Sequence, residues 1–203
     1  MSRLNPTRGF ARATLHGAAV GPGQTFGRIY LSRYSDPLGY AKERSRFSDP
    51  RRRALVNRFG VLYLGSTLKV CFLEAILRNQ RNGIIGEYEI GESELRSRQY
   101  ALIEPTSRLY LVDLRGDGCI RMGIPSDVPR SANQALARRW SLAFYEHRSK
   151  PDGIIYSSRL NEDTCVAIYD RAVVKLRAVG ATELIRAPGF AEVLDDLRVA
   201  IAP

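Results

Sequence analysis

The chain has 203 residues, a length that corresponds to one domain with a full hydrophobic core. Hydrophobic residues make up 44% and charged residues 26% of the chain, as in soluble globular proteins. No apolar run approaches the ~20 residues that a membrane span needs. These values exclude a membrane protein, a disordered chain and a small disulfide scaffold. The first six residues lack the apolar core of a secretory signal.

The charge of the chain is strongly positive and is carried by arginine. The formal net charge is +10, and only four of the 31 basic residues are lysines, so 27 are arginines. Arginine binds phosphates and carboxylates through paired hydrogen bonds and stays charged. The balance predicts an anionic partner such as a nucleotide, a nucleic acid or an acidic protein. A compositional bias toward arginine is the alternative explanation for most of these residues.

The cysteines and histidines do not form a recognisable metal site. Cys71, Cys119 and Cys165 are far apart in the chain, whereas a metal site or a disulfide framework needs paired cysteines. We therefore predict buried free thiols in a reducing cytoplasm. The two histidines, His16 and His147, have no metal partner at ligand spacing. No metal site is expected.

The N-terminal third of the chain contains few regular patterns. Residues 1–27 are rich in glycine, proline, alanine and threonine, which predicts an arm or loop with little structure of its own. The domain is then expected to cover residues 28–203. Residues 28–32 alternate as in a strand. Residues 33–58 predict a loop region, with one short helix around 51–58.

The clearest segment predicts a strand followed directly by a helix. Residues 59–65 form a short apolar run, after which Ser66 or Thr67 can cap a helix. Apolar residues recur at helical spacing over residues 68–79, and the helix is expected to end near Gly83.

The rest of the chain predicts short strands and a few separate helices. The further strands are predicted at residues 84–90, 100–103, 109–114, 154–156 and 165–169, with an extension over 173–177. A short helical turn is expected within 116–129, a long helix over 132–147 capped by Ser131, and a last helix over 190–201. This pattern predicts an α+β fold: a single domain with a mixed, twisted β-sheet flanked by helices.

Glu74 is an acidic residue at an unusual position in the predicted helix. On a helical wheel it falls on the apolar face, between residues 70 and 77. A carboxylate there is poorly placed unless it lines a cleft or is paired. The alternative is a glutamate at the helix edge, paired with Arg78 four residues later.

Three other residues are candidates that carry little weight singly. Ser158 ends a predicted strand, where its hydroxyl either points into a pocket or bonds its own turn. Arg28 begins a strand and is equally explained as a surface charge. Tyr63 lies in an apolar strand and is equally explained as core packing.

Taken in order, these residues resemble the RES-domain family, which is named for its arginine, glutamate and serine. An arginine on the first strand precedes an Arg-Phe pair, an apolar segment with tyrosine, a helix with Leu-Glu-Ala, and Gly-Ile-x-Tyr-x-Ser. The matching residues are Arg28, Arg46-Phe47, Val61-Leu62-Tyr63-Leu64, Leu73-Glu74-Ala75 and Gly153-Ile154-Ile155-Tyr156-Ser157-Ser158. The resemblance spans residues 28–158, and the apolar strand after the serine also fits.

The chain departs from the family around the Arg-Phe pair. Ser45 and Ser48 stand where the family often has glycine and asparagine. A second pair begins at Arg58, nearer to Tyr63. We favour Arg46 because the polar, proline-containing turn of residues 48–50 follows it, and Arg58 remains the alternative.

The resemblance implies a fold and a function. It implies an ADP-ribosyltransferase-like fold and a toxin of a toxin–antitoxin pair that degrades NAD. The bond broken would be the one between nicotinamide and ribose, with water or phosphate as the acceptor. NAD would be the substrate, and no cofactor is expected. The partner would be a cognate antitoxin with a helix-turn-helix DNA-binding domain.

The resemblance also assigns roles to five residues. Arg28, Glu74 and Ser158 would be catalytic, and Arg46 and Tyr63 would bind NAD. Arginines suit the pyrophosphate, and a tyrosine ring can stack on nicotinamide. A carboxylate such as that of Glu74 stabilises an oxocarbenium-like ribose, and Ser158 would hydrogen-bond the ribose or the nicotinamide amide.

Three alternatives remain open at this point. The same NAD-binding residues serve an ADP-ribosyltransferase that modifies a protein, because the acceptor is chosen by access to the pocket. The arginine-rich stretch 44–58 is compatible with nucleic-acid binding. However, the sequence has no helix-turn-helix, zinc-finger or RNA-recognition motif, so no direct nucleic-acid contact is expected. The altered Arg-Phe context is compatible with an inactive binding module.

Overall fold

The computed structural model describes residues 4–203, which form ten strands in two sheets. The strands are β1 (Gly17–Val20), β2 (Phe26–Leu31), β3 (Val61–Gly65), β4 (Tyr88–Gly91), β5 (Arg98–Pro105), β6 (Leu109–Asp113), β7 (Gly153–Ser157), β8 (Thr164–Tyr169), β9 (Leu176–Glu183) and β10 (Val199–Ala202). The main sheet has eight strands in the order β1-β6-β7-β8-β3-β2-β5-β9. Only β6 and β7 are parallel within it, and β4 and β10 form a separate parallel pair.

Helices flank the main sheet. They are α1 (Leu68–Phe72), α2 (Glu92–Arg96), α3 (Gly118–Arg121), α4 (Asp127–Arg130), α5 (Ala135–Glu146) and α6 (Phe190–Leu197). Short 3-10 turns occur at Arg8–Arg12, Leu55–Asn57, Asp170–Lys175 and Leu184–Arg186. This architecture confirms the predicted α+β fold with a mixed sheet. In the part of the chain that the structure describes, no helix is long and apolar enough to cross a membrane.

The central strands are buried on both faces. Along β7, Ile154 and Tyr156 pack into the cluster that contains Trp140 of α5, whereas Ile155 packs into the cluster on the opposite face. A third cluster joins Phe72 of α1 to Phe190 of α6. Burial on both faces explains why β8 is an unbroken apolar run instead of an alternating one.

The main sheet opens between β2 and β3. These strands pair at a single position, Gly27 opposite Gly65, whereas β2 pairs with β5 along its whole length. A Cβ atom on Gly65 would lie 2.6 Å from Val70 Cγ1 and 2.8 Å from Cys71 Sγ. Glycine is therefore needed there for α1 to pack on the end of β3.

The predicted helix over 68–79 begins correctly and ends differently. Thr67 Oγ1 accepts a hydrogen bond of 3.1 Å from Val70 N, which confirms the predicted cap. The α-helix stops at Phe72 and continues as a π-helical turn over Leu73–Leu77. Arg78 then takes a φ of 23° and ends the helix. The predicted strand at 84–90 is reduced to β4, because residues 78–87 form the connection.

The prediction for residues 1–27 was wrong over the part that the structure describes, and residues 1–3 lie outside it. Residues 17–20 form β1, which pairs with β6. Phe10 is 6% exposed, and its ring centroid lies 4.9 Å from that of Trp140. The glycines and prolines of this segment indicate turns. They give no sign that Phe10 packs against α5, a helix far away in the chain.

Other element boundaries also moved. Ser131 Oγ accepts from Asn133 N and Asn133 Oδ1 accepts from Ala135 N, so α5 begins three residues later than predicted and Ser131 does not cap it. The last helix ends at Leu197, where a left-handed Arg198 leads into β10. The short helix around 51–58 is a single 3-10 turn, and the extension over 173–177 is a turn followed by β9.

The packing of the N-terminal segment predicts the effect of Phe10→Ala. The substitution removes a buried ring from the contact with α5, so we expect a loss of about 3–5 kcal/mol in the free energy of unfolding. Urea unfolding followed by circular dichroism measures it. Val56→Ala, at a side chain that is exposed, is the control and should change stability little. A small change for Phe10→Ala would show that the segment does not stabilise the core.

Candidate active site

A cavity of about 240 Å³ occupies the opening between β2 and β3. Strands β2 and β3 form one wall, and α1 with the π-helical turn forms another. The remaining walls come from β7, β8 and the loop residues Ser45 and Arg46. Four of the five predicted site residues line this cavity: Arg28, Arg46, Tyr63 and Glu74. The fifth, Ser158, reaches it through Glu74.

Glu74 and Ser158 are joined by a hydrogen bond. Ser158 Oγ donates to Glu74 Oε1 at 2.8 Å and accepts from Leu160 N at 3.1 Å. Ser158 follows β7 directly and is 2% exposed, so the turn holds its hydroxyl in place. Within residues 4–203 Glu74 forms no ion pair with Arg78, and its Oε2 accepts no hydrogen bond. The alternative pairing with Arg78 is therefore not formed, and one carboxylate oxygen remains available to a ligand.

The π-helical turn determines how Glu74 enters the cavity. In this turn Arg78 N donates a hydrogen bond of 2.7 Å to Leu73 O. The bond joins residues five apart in the chain, whereas an α-helical bond joins residues four apart. π-helical turns are rare and occur frequently at functional sites. The positive φ of Arg78 is a second local strain, and Arg78 also lines the cavity.

Three arginines, Arg28, Arg46 and Arg78, give the cavity a positive charge, and the first two are held by backbone carbonyls. Arg28 Nη1 donates to Pro37 O, and Arg46 Nη1 donates to Ser131 O at 2.7 Å. Burial lowers the pKa of Arg28 to about 10, although Asp36 and Tyr30 oppose the shift. Burial also lowers the pKa of Arg46, which is 4% exposed. Neither has an ion-pair partner within the described residues, and both stay protonated at neutral pH, so the cavity favours an anion.

Tyr63 holds the loop that carries Arg46. Its hydroxyl accepts from Phe47 N at 2.8 Å and shares a hydrogen bond of 2.9 Å with Ser45 Oγ. Arg58, the alternative to Arg46, donates from Nε to Arg53 O and does not line the cavity. The geometry therefore brings Arg46 and not Arg58 to the site.

Sequence reasoning missed several residues of the cavity wall. Tyr156 lines the cavity, and its place two residues before Ser158 in the Gly-Ile-x-Tyr-x-Ser motif is a signal that could have identified it. For Arg78 the helical spacing predicts only a pairing with Glu74, whereas the side chain lines the cavity. All three cysteines are buried and free, as predicted, and Cys71 and Cys165 line the cavity.

No group of three metal-ligating side chains is present among residues 4–203. His147 is buried, and its Nε2 lies 3.1 Å from Ala13 O while its Nδ1 lies 2.8 Å from Ser149 Oγ. These contacts explain His147 as a residue that fastens the N-terminal segment to the end of α5.

Comparison with known proteins identifies the family. The sequence pattern described as RES domain matches residues 24–187. The chain belongs to the RES-domain family. The matched range of the RES domain contains all five predicted site residues and the strands that line the cavity.

This chain is similar to one curated relative in sequence and to one solved structure in fold. A Sinorhizobium fredii (strain NBRC 101917 / NGR234) protein named "Probable toxin y4kH" is 40% identical over 126 residues, which cover 62% of this chain and 99% of that protein. A chain in the crystal structure of the M. tuberculosis MbcT–MbcA toxin–antitoxin complex superposes with a TM-score of 0.62 at 13% identity. That superposition covers 89% of this chain and 91% of the other, and shows that the two share a fold.

The contacts of Tyr63 in the RES domain predict the effect of Tyr63→Phe. The substitution keeps the ring but leaves the buried Phe47 N without an acceptor, so we expect a loss of about 1–3 kcal/mol in the free energy of unfolding. Urea unfolding measures it, with Tyr34→Phe at an exposed tyrosine as the control. Equal stability of the two variants would show that the hydroxyl does not hold the loop.

The cavity thiols should be unreactive at neutral pH. Burial raises the pKa of Cys71 and of Cys165 to about 12, and the charge of Glu74 adds to the shift at Cys165. Because the thiolate reacts, we expect iodoacetamide to modify them ~1,000-fold more slowly in the native protein than in urea at pH 8. The native rate should rise about tenfold per pH unit up to pH 10. A plateau near pH 9, measured by mass spectrometry, would contradict the raised pKa values.

Proposed function

We propose that this RES-domain chain is the toxin of a toxin–antitoxin pair and that it degrades NAD by cleaving the nicotinamide–ribose bond. The observation that carries the proposal is a carboxylate, Glu74, oriented by Ser158 inside a cavity that also contains Arg28 and Arg46. The cavity thus combines one acid with three arginines, Arg28, Arg46 and Arg78, none of which has an ion-pair partner among the described residues.

The charges of the cavity complement those of NAD. The two phosphates of NAD are negative, and the guanidinium groups of Arg28 and Arg46 can bind them through paired hydrogen bonds. As the bond between nicotinamide and ribose breaks, its electron pair moves to the nicotinamide nitrogen and positive charge develops on the ribose. The carboxylate of Glu74 stabilises that charge, as carboxylates do in glycoside cleavage.

The second oxygen of Glu74 has a separate task in this mechanism. Ser158 occupies Oε1, so Oε2 is available to accept a proton from the attacking water or phosphate. The oxygen of that acceptor forms the new bond to ribose C1′. In this role Ser158 positions the carboxylate. Tyr63 positions the loop of Arg46 and can stack its ring on the nicotinamide.

The toxin assignment rests on related proteins. One relative carries the name of a toxin, and a chain of a toxin–antitoxin complex has the same fold. We propose a cognate antitoxin as the partner of this chain. The family resemblance further implies that this antitoxin has a helix-turn-helix DNA-binding domain.

The decisive test follows nicotinamide release from NAD by the purified, antitoxin-free chain with phosphate present. We expect release by the wild type and a decrease of about 100-fold or more for Glu74→Gln, which keeps the shape but loses the charge. Glu89→Gln, at an exposed glutamate of β4, is the matched control and should retain full activity.

Other outcomes separate the alternatives. No release by the folded wild type would overturn the proposal. Equal release by wild type and Glu74→Gln would keep the activity and remove Glu74 from its role. Added mass of one ADP-ribose on a protein target would identify a transferase, and salt-sensitive DNA binding without release would identify a nucleic-acid-binding protein.

A further inference from the structure

A second cavity, of about 590 Å³, lies beside the candidate active site. Its lining contains six arginines: Arg44, Arg51, Arg52, Arg58, Arg138 and Arg139. We call this cavity the arginine hollow. The segment 44–46 separates it from the candidate site, because Arg44 lines the hollow whereas Ser45 and Arg46 line the first cavity. The arginines come from two elements, the loop over 44–58 and helix α5.

The charge of the arginine hollow is not balanced. Asp49 is the one acid in its lining, and Arg51 bonds both oxygens of that carboxylate. Phe59 N also donates to Asp49, and Arg51 has a further ion pair with Glu146. Within residues 4–203 the other five arginines have no carboxylate within 4.0 Å. The hollow is therefore strongly positive.

Arg138 distinguishes the hollow from an ordinary charged surface. It is 7% exposed, and the hydrogen bond of its guanidinium goes to Ser45 O at 3.4 Å. Burial lowers the pKa of Arg138, and the charge of Arg44 lowers it further. Burying a cation without a counterion costs free energy, and long basic side chains on solvated faces keep their charge in water. A bound anion would offset this cost.

The lining also restricts the kind of anion. Apart from Asp49 and the arginines it contains only Pro50 and Ala135, so it has no aromatic ring on which a base could stack. It also lacks the large apolar or aromatic anchors that dominate protein interfaces. Guanidinium groups that converge from two elements suit a compact anion with several oxygens, which accepts paired hydrogen bonds from each.

We propose that the arginine hollow is a binding site for a diphosphate group, either free or carried by a nucleotide. Arg138 is its buried anchor, and the exposed Arg44 and Arg139 supply further charged donors to the anion. The site adjoins the candidate active site through Ser45, whose carbonyl accepts from Arg138 and whose hydroxyl bonds that of Tyr63. An anion that draws Arg138 away would thus act on the segment that carries Arg46.

Isothermal titration calorimetry on the full chain tests this site with inorganic pyrophosphate and with ADP as separate probes. We expect Arg138→Gln and Arg44→Gln each to weaken pyrophosphate binding about tenfold, because each removes a charged hydrogen-bond donor. Arg108→Gln removes the same charge from an exposed arginine that has no partner among residues 4–203, and should change binding less than twofold. Pyrophosphate can also bind Arg28 and Arg46 in the candidate active site, so the titration is fitted to two sites. Arg28→Gln should weaken only the site that does not respond to Arg44→Gln.

The two probes separate the sources of the diphosphate. Equal affinities for pyrophosphate and ADP would show that the phosphates alone are recognised, whereas tighter ADP binding that is lost in Arg44→Gln would show a nucleotide site. Arg44 is exposed, so its variant reports on the site even where Arg138→Gln impairs folding, which circular dichroism detects.

Several results would overturn the proposal. Absence of pyrophosphate binding would do so directly. If Arg108→Gln weakened pyrophosphate binding as much as Arg44→Gln does, the binding would be general electrostatic attraction. If only Arg28→Gln weakened it, pyrophosphate would bind in the candidate active site. Binding of an acidic peptide or of a DNA duplex that depends on Arg44, without pyrophosphate binding, would make the hollow a macromolecular surface instead.

Discussion

The contact on which the rest of the site depends is the single pairing of β2 with β3 at Gly27 and Gly65. Beyond it the strands separate, so two polar side chains, Arg28 and Tyr63, face a cavity where a continuous sheet would have packed them. Gly65 also lets α1 approach the end of β3, which brings the π-helical turn and Glu74 to the same opening. The loss of pairing between β2 and β3 thus leaves room for the cavity and lets the carboxylate of Glu74 reach it.

Electrostatics then makes that space favourable for an anion. Burying an arginine costs free energy unless an opposite charge lies nearby. This fold places two buried arginines at the edges of cavities and not beside carboxylates. Arg46 and Arg138 illustrate this on the two sides of one loop, since each donates to a backbone carbonyl and neither has an acidic partner among the described residues. Tyr63 and Ser45 connect the two sides, so the candidate active site and the arginine hollow share a boundary.

Local patterns predicted what depends on neighbouring residues. The cap at Thr67, the apolar runs of β3 and β8 and the mixed α+β architecture follow from hydrophobic spacing and short-range hydrogen bonding. The same reasoning was wrong for the N-terminal segment, because Phe10 is buried by α5 and β1 is paired by β6, both far away in the chain. It was also wrong for the end of the helix after Phe72, where one inserted residue converts α to π geometry.

By itself the sequence determined the order of an arginine, a tyrosine, a glutamate and a serine that marks the RES domain, and the position of Glu74 on an apolar helix face. Tertiary structure alone decided that Ser158 reaches Glu74 across 84 positions of the chain, that Arg46 and not Arg58 enters the cavity, and that Tyr63 fastens the loop between them. The physical reason is that these contacts join different strands and loops. Their geometry is set by which strands pair and where the sheet opens, and no local spacing encodes that.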